Sequence, residues 1–343
     1  MARVLIFDAP GHAALIDEQL SRPLAGQIAV ATDLSLVSAG TERTMLTKAP
    51  VYPVRPGYSV VGRVTEVGPG VTAFALGDRV MAHVGHASHA VLDQRFALKL
   101  PDNLKSEDAA FATVGAMALY AVRLAGLRLG DPVCIFGQGL IGLIATQIAR
   151  IAGATPIGVI DVVEERLALA RKLGADYAVH ARDRNGLEQL NRSLPGGGPA
   201  ASIDLCGIAS AVDTAVAITR RGGRIVTGSL MPAGHQVDVF GRAWMAGVSI
   251  VGAYFNARPW QLDATETTSP ADWPIRLTDA GRYQGSEIAT SLGDLEVFIR
   301  MLSFDRLRLQ CLVDETVTAT EAPAMFMELP HSQALGHIIR WQA

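Results

Sequence analysis

The chain has 343 residues, 49% apolar and 18% charged, with a net charge of −3. That composition excludes a disordered chain and leaves no electrostatic footprint for nucleic acid or an anionic membrane surface. No run reaches the ~18 uninterrupted apolar residues of a membrane helix, and three cysteines (Cys134, Cys206, Cys311) with no C-x-x-C spacing exclude a disulfide framework.

The length allows two domains and a sizeable core. Met1 to Pro10 lacks the cationic start and apolar centre of a secretory leader, so a cytoplasmic location is expected. Residues 1 to about 124 read as β-rich. Arg3–Phe7, Gln27–Leu36 and Val60–Gly68 are strand-like, and Val71–Val84 continues with a turn at Gly77-Asp78. Pro50, Pro53 and Pro56 mark a loop. From Ser106 to Leu124 the pattern becomes helical, with Ser106 as N-cap and Glu107 and Asp108 at the positive end of the helix dipole.

Val133 to Phe136 is a short apolar run that predicts a buried strand. Gly137, Gly139 and Gly142 follow at G-x-G-x-x-G spacing, and an apolar-periodic helix opens at Leu140. A second buried run, Pro156 to Ile160, ends in Asp161, about twenty residues beyond the last glycine. Strand, glycines, helix, strand and acid in this order predict a dinucleotide site. Backbone N–H groups of Gly137 to Gly142, including Gln138, Leu140 and Ile141, would face a pyrophosphate at the helix start, and Asp161 would accept hydrogen bonds from the ribose hydroxyls. The carboxylate repels a 2′-phosphate, so NAD is expected rather than NADP.

Beyond this unit strands and helices alternate, which implies a parallel sheet covered on both faces. Val163–Leu173 is a helix closed by Gly174-Ala175. Tyr177–His180, Ala201–Cys206, Arg224–Thr227 and Val248–Val251 are strands, and Ala211–Ile218 is a helix. Asp263 to Tyr283 has no clear period. Asp294–Phe304 reads as a helix, and Gln310–Val317 and His337–Trp341 as strands.

These segments resemble the medium-chain dehydrogenase/reductase superfamily, the zinc alcohol dehydrogenases and their relatives. Gly57-Tyr58-Ser59-Val60-Val61-Gly62-Arg63-Val64 stands where that family has G-H-E-x-x-G-x-V, Gly77-Asp78-Arg79-Val80 matches G-D-x-V, and Ala170 to Asp176 matches A-x-x-L-G-A-D. The resemblance implies a GroES-like β-rich catalytic domain (1–124 and 263–343) and a Rossmann domain (125–262), assembled as a homodimer or homotetramer and acting on a small molecule. It adds Cys206, Gly207, Gly228, Ser229 and Tyr254 as cofactor contacts, with Arg340 a candidate for the pyrophosphate or for a surface role.

The metal ligands do not carry over. Ala39 stands at the cysteine position, Tyr58 at the histidine and Val114 near the third ligand, and the four-cysteine lobe is absent. The motif Ser38-Ala39-Gly40-Thr41-Glu42-Arg43 is most similar to a zinc-free branch with S-x-G-T-E, which includes the bacteriochlorophyllide dehydrogenase and bacterial glycoside 3-dehydrogenases. Val237 to Arg242 and Trp273-Pro274 lean toward the latter.

Without zinc, alcohol oxidation needs a side chain to take the O–H proton. Tyr58, at a former ligand position, is the candidate base, its alternative role being to fill the space. Thr41 matches the family's relay hydroxyl. Glu42 is a second candidate base, or a structural partner of Arg43 or Arg63. His83, His86 and His89 alternate faces if extended, so a three-way metal site is not expected; His86 is the first choice for a proton shuttle. Arg258, Trp260, Asp263 and Trp273 offer aromatic and polar groups that suit a sugar, or ordinary core. Cys134 and Cys206 fall in predicted buried strands and are expected to be inert. The leading expectation is an NAD-dependent, metal-independent dehydrogenase of a secondary alcohol, of a sugar, glycoside or cyclitol. A zinc-free NADPH-dependent quinone or enoyl reductase and a non-catalytic NAD-binding protein are the alternatives.

Overall fold

A computed structural model describes residues 1–229, 236–237, 239–261 and 290–342. In chain order the elements are β1 (Ala2–Ala9), β2 (His12–Glu18), β3 (Gln27–Ser38), α1 (Ala39–Lys48), β4 (Val60–Val67), β5 (Arg79–Ala82), β6 (His89–Asp93), β7 (Ala97–Lys99), α2 (Ser106–Ala109) and α3 (Ala112–Ala125). Then come β8 (Val133–Phe136), α4 (Leu140–Ile151), β9 (Ile157–Asp161), α5 (Glu164–Lys172), β10 (Tyr177–His180), α6 (Arg184–Ser193), β11 (Ala201–Asp204), α7 (Ala209–Ile218), β12 (Arg224–Thr227) and β13 (Ser249–Gly252). The described chain closes with α8 (Ser291–Ser303), β14 (Glu315–Thr318), α9 (Ala322–Glu328) and β15 (Gly336–Arg340).

The chain divides into two compact units, Met1–Val114 with Leu295–Ala343, and Gly115–Asp294. The breaks differ from the expected 124/125 and 262/263 because the chain changes unit inside α3, where helical periodicity gives no signal, and again inside α8.

In the first unit the sheet runs β14-β15-β3-β4-β5-β7, with β6 also pairing β3. β3 is its hub, antiparallel to β15, β4 and β6. One core gathers Phe7, Val37, Leu46, Phe326, Ile339 and Trp341, the Phe7 and Phe326 rings meeting edge to face at 5.1 Å. Of the stretch Val71–Val84, read with a turn at Gly77-Asp78, only the part after that turn forms a strand, the four residues of β5. The expected Ser106 cap is not formed: Lys105 is the N-cap of α2, without a side-chain cap bond, and the Ser106 hydroxyl accepts from Arg79 instead.

In the second unit a parallel sheet runs β10-β9-β8-β11-β12-β13. This is the doubly wound order, in which all strands are parallel and the sequence of strand addition reverses between β8 and β11. β8 and β9 are buried along their whole length, as continuous apolar runs covered on both faces should be. α4 buries Leu140, Leu143, Ile144 and Ile148 against them. α5 carries Glu164 and Glu165 in its first turn and Arg171 and Lys172 in its last, which complements the helix dipole.

Candidate active site and cofactor cradle

At the C-terminal edge of the parallel sheet, the loop after β8 meets the loop after β11: a Cβ on Gly137 would lie 2.7 Å from that of Cys206. This is the switch point at which doubly wound sheets take ligands. α4 follows Gly139, and no side chain caps its first N–H groups. A Cβ on Gly139 would meet nothing within 4 Å, whereas one on Gly142 would lie 1.9 Å from the Gly137 carbonyl oxygen. The loop therefore folds onto α4 only with glycine at 142 and presents an open backbone at 139. That is the shape a pyrophosphate needs, with the positive end of the helix behind it.

Asp161 closes the other side. It is 7% exposed. Its Oδ2 accepts the Gln138 N–H at 2.5 Å, and its Oδ1 accepts those of Val162 at 2.7 Å and Val163 at 2.9 Å. Two carboxylate oxygens offer about four acceptor sites, so the acid ties the glycine loop to β9 and still has capacity for a ribose hydroxyl. The residues thus fit a dinucleotide. The Gln138 side chain is turned inward, its Oε1 accepting from Thr146 at 3.0 Å, so only its backbone is placed for a phosphate.

Cys206 lies just past β11 and donates its thiol to Asp204, which also accepts from Ser229 at 2.8 Å. Burial, with Asp204 beside it, pushes this thiol up to about 12, and burial does the same for Cys134. Gly207 follows Cys206, Gly228 and Ser229 follow β12, and Tyr254 follows β13, all at the same edge of the sheet. Arg340 is half-exposed at the end of β15, 3.6 Å from Glu107.

The first unit holds the other candidates. Helix α1 starts after Ser38 and sets Ala39, Thr41 and Glu42 on its first turn. Tyr58 is fixed through its backbone, the Thr113 hydroxyl donating to its carbonyl at 3.0 Å, and the neighbouring Ser59 hydroxyl donates to Ala110 at 2.6 Å. Tyr58 as a residue is intermediate in exposure, but its hydroxyl oxygen is covered and makes no hydrogen bond of ordinary geometry. Burial, reinforced by the nearby Glu42 carboxylate, raises this hydroxyl well above the usual phenol range, while the Ser38 and Thr41 side chains pull it down. Ser38, which sequence reading did not single out for chemistry, joins the group because the turn into α1 carries it there.

His83, at the end of β5, stacks on Tyr58 with ring centroids 6.3 Å apart and planes 30° apart. Burial lowers its imidazole to about 4, against a hydrogen bond to the Tyr58 backbone that favours the charged form. His86, the expected shuttle, is placed differently. It is 1% exposed, with Nδ1 on Ser35 Oγ and Nε2 on Glu42 Oε2, both at 2.8 Å, so neither ring nitrogen is left to exchange a proton with water. Glu42 is fully buried on His86 rather than on Arg43 or Arg63; Arg43 donates to the Leu329 and Ser332 carbonyls and Arg63 to that of Gly77.

Arg258 and Trp260 belong to packing rather than to a sugar platform. Arg258 is buried, ion-paired with Asp294 and 3.9 Å over the Tyr120 ring, and Trp260 meets Phe255 edge to face. Asp263, Trp273 and the rest of 262–289, with Asp238, lie outside the described residues. Ala39 and Val114 are buried without donor atoms, and among the described residues no three His, Cys, Asp or Glu side chains group as metal ligands would.

Residues 29–135 match the alcohol dehydrogenase GroES-like domain and residues 141–269 the zinc-binding dehydrogenase domain. An alcohol dehydrogenase of Geobacillus stearothermophilus is 29% identical over 241 residues, covering 61% of this chain and 70% of that protein. The (R,R)-butanediol dehydrogenase of Bacillus subtilis (strain 168) is 29% identical over 54% of this chain and 61% of its own length. Galactitol-1-phosphate dehydrogenase from Escherichia coli shares the fold, with a TM-score of 0.80 at 18% identity over 99% of this chain and 100% of that one. With the GroES-like and Rossmann parts both matched, and the glycine cradle in its expected place, the chain belongs to the alcohol-dehydrogenase-like superfamily of medium-chain dehydrogenases/reductases.

Proposed function

We propose that the chain is an NAD-dependent oxidoreductase that moves hydride between the nicotinamide and a secondary alcohol of a polyol, sugar, glycoside or cyclitol, without a metal ion. The observation that carries this reading is the Tyr58 hydroxyl, covered and grouped with Ser38, Thr41 and Glu42, at the position where zinc relatives hold a ligand. A catalytic zinc takes three protein ligands. Ala39 and Val114 supply none, and the Glu42 oxygens are engaged by His86 and the Ser38 N–H. The names of two similar proteins, a butanediol and a galactitol-1-phosphate dehydrogenase, favour a polyol-like substrate. Asp161 favours NAD.

A bound nicotinamide supplies the hydride acceptor in oxidation and the donor in reduction. The chain's own residues handle the proton. In reduction the Tyr58 hydroxyl gives its proton to the oxygen of the carbonyl that receives hydride, and Thr41 Oγ1 holds that oxygen. In oxidation the ionised Tyr58 takes the alcohol proton as hydride leaves the same carbon. Because the hydroxyl is raised above its ordinary range, reduction uses the resting form and oxidation speeds up with pH.

Substituting Tyr58→Phe keeps the ring and deletes only the hydroxyl. The expected result is a fall in kcat of at least ~10²-fold in both directions with NAD affinity retained. Near-normal kcat with an unchanged pH profile would overturn the assignment. NAD binding by wild-type protein without turnover on any polyol, sugar or glycoside would favour a cofactor-binding role without catalysis.

A further inference from the structure

His86 and Glu42 are as buried as any pair in the first unit, and the proton transfer above uses neither. Glu42 Oε2 meets His86 Nε2 at 2.8 Å, with both side chains at 0% exposure. A carboxylate only accepts, so Nε2 carries a proton toward it in either charge state of the imidazole. Glu42 Oε1 accepts the Ser38 N–H at 2.8 Å, which fixes the turn into α1 just before Thr41. On the far side of the ring, His86 Nδ1 meets Ser35 Oγ, which also accepts the Trp341 indole N–H at 2.9 Å.

The same histidine holds the Tyr58 bend. Its backbone N–H donates to the Pro56 carbonyl at 2.9 Å. A Cβ on Gly57, whose φ is +91°, would lie 2.6 Å from the His86 ring. The imidazole is therefore wedged between the residue preceding Tyr58 and the carboxylate on the helix that carries Thr41. An isolated carboxylate is not tolerated in such a place unless it is paired and hydrogen-bonded.

We propose that the buried Glu42–His86 pair is a positioning device for Tyr58: His86 locks the Gly57-Tyr58 bend to the start of α1 and pairs the Glu42 carboxylate on that helix. The titratable groups around the pair are Tyr58 itself, His83 beside it at the end of β5, and His337 on β15, which feels Glu42 together with Asp314 and Glu315. Glu42 is the carboxylate acting on Tyr58, so the two partners of the pair should move the Tyr58 proton in opposite directions. This rests on Tyr58 being the proton-transfer group, and the test is chosen so that the two ideas fail separately.

The measurement is fluorine NMR of protein carrying fluorotyrosine at its tyrosines. Ring fluorination brings the phenol into an accessible pH range, and the Tyr58 signal is the one missing from Tyr58→Phe. In Glu42→Gln the Tyr58 titration midpoint should fall by about one pH unit. In His86→Phe it should rise by a similar amount, or the signal should fail to titrate. Alcohol oxidation at fixed pH below the midpoint should change about tenfold in the matching directions. A purely architectural pair would lower the melting temperature without opposite shifts. Midpoints that move the same way, or not at all, overturn the proposal. Glu42→Gln is nearly isosteric and decides the matter alone if His86→Phe does not fold. If Tyr58→Phe keeps full activity but the midpoints still split, the Tyr58 mechanism falls and the positioning role stands.

Discussion

Burial, reinforced by the Glu42 carboxylate, holds the Tyr58 proton further into the alkaline range than an ordinary phenol holds its own. Alcohol oxidation should therefore rise steadily with pH through the alkaline range, and carbonyl reduction should not, which stopped-flow rates at saturating substrate would measure. Thr41→Val should lower kcat/KM by about tenfold or more in both directions, since it leaves the substrate oxygen without its partner. His83 makes a separate prediction. Its folded-state value of about 4 lies below the ordinary 6.5, so between these values the unfolded chain binds the proton and the native chain does not. The contribution of His83 to stability should therefore be complete above pH ~6.5 and be lost as pH falls toward 4, at up to ~1.4 kcal/mol per pH unit. Thermal unfolding should show this slope, and His83→Phe should flatten it. The places of Asp161 at the end of β9 and of Tyr58 just before β4 follow from local signals, a terminal acid after two buried strands and a departure from a ligand motif. His83 and the Glu42–His86 pair were not legible in the sequence: their partners lie more than 20 residues away, and the alternation of faces expected for three histidines does not hold where β5 ends and a loop carries His86.

Among the elements, α4 and its flanking strands follow directly from apolar period and glycine spacing, since each local preference agrees with the final packing. Gly142→Ala should be severe. Its methyl would strike the Gly137 carbonyl at 1.9 Å, and relief requires the cradle to open. Calorimetry should find NAD affinity reduced at least tenfold, with a loss of about 1–3 kcal/mol in stability. Other elements were silent in sequence. Helix α6 carries Gly186 in its first turn and is held by an Asp183 side-chain cap; its propensity is weak, and tertiary burial of Leu190 completes it. Strand β2 alternates poorly because it pairs only with β1 in a two-stranded sheet. The 71–84 stretch keeps only the four residues of β5, which pair with β4 over four positions and with β7 over three.

At the scale of the whole molecule, β13 ends the parallel sheet with Ser249, Ile250 and Gly252 exposed and nothing paired on its outer side among the described residues. An edge strand with an exposed apolar residue is a template for pairing with a second chain. Light scattering should find a dimer or tetramer, and Ile250→Arg should shift it toward monomer. The two-unit organisation was legible from the order of β-rich and alternating segments. The crossover points were not, because helices α3 and α8 each run through one. The central claim is hydride transfer without metal, and its most direct measurement is reduced nicotinamide formed by chelator-treated, metal-analysed protein given NAD and a panel of polyols, sugars and glycosides at alkaline pH. The predicted result is turnover with at least one of them, unchanged by added zinc, preferring NAD to NADP, and losing at least ~10²-fold in Tyr58→Phe. Turnover that appears only when about one zinc per chain is restored would contradict it.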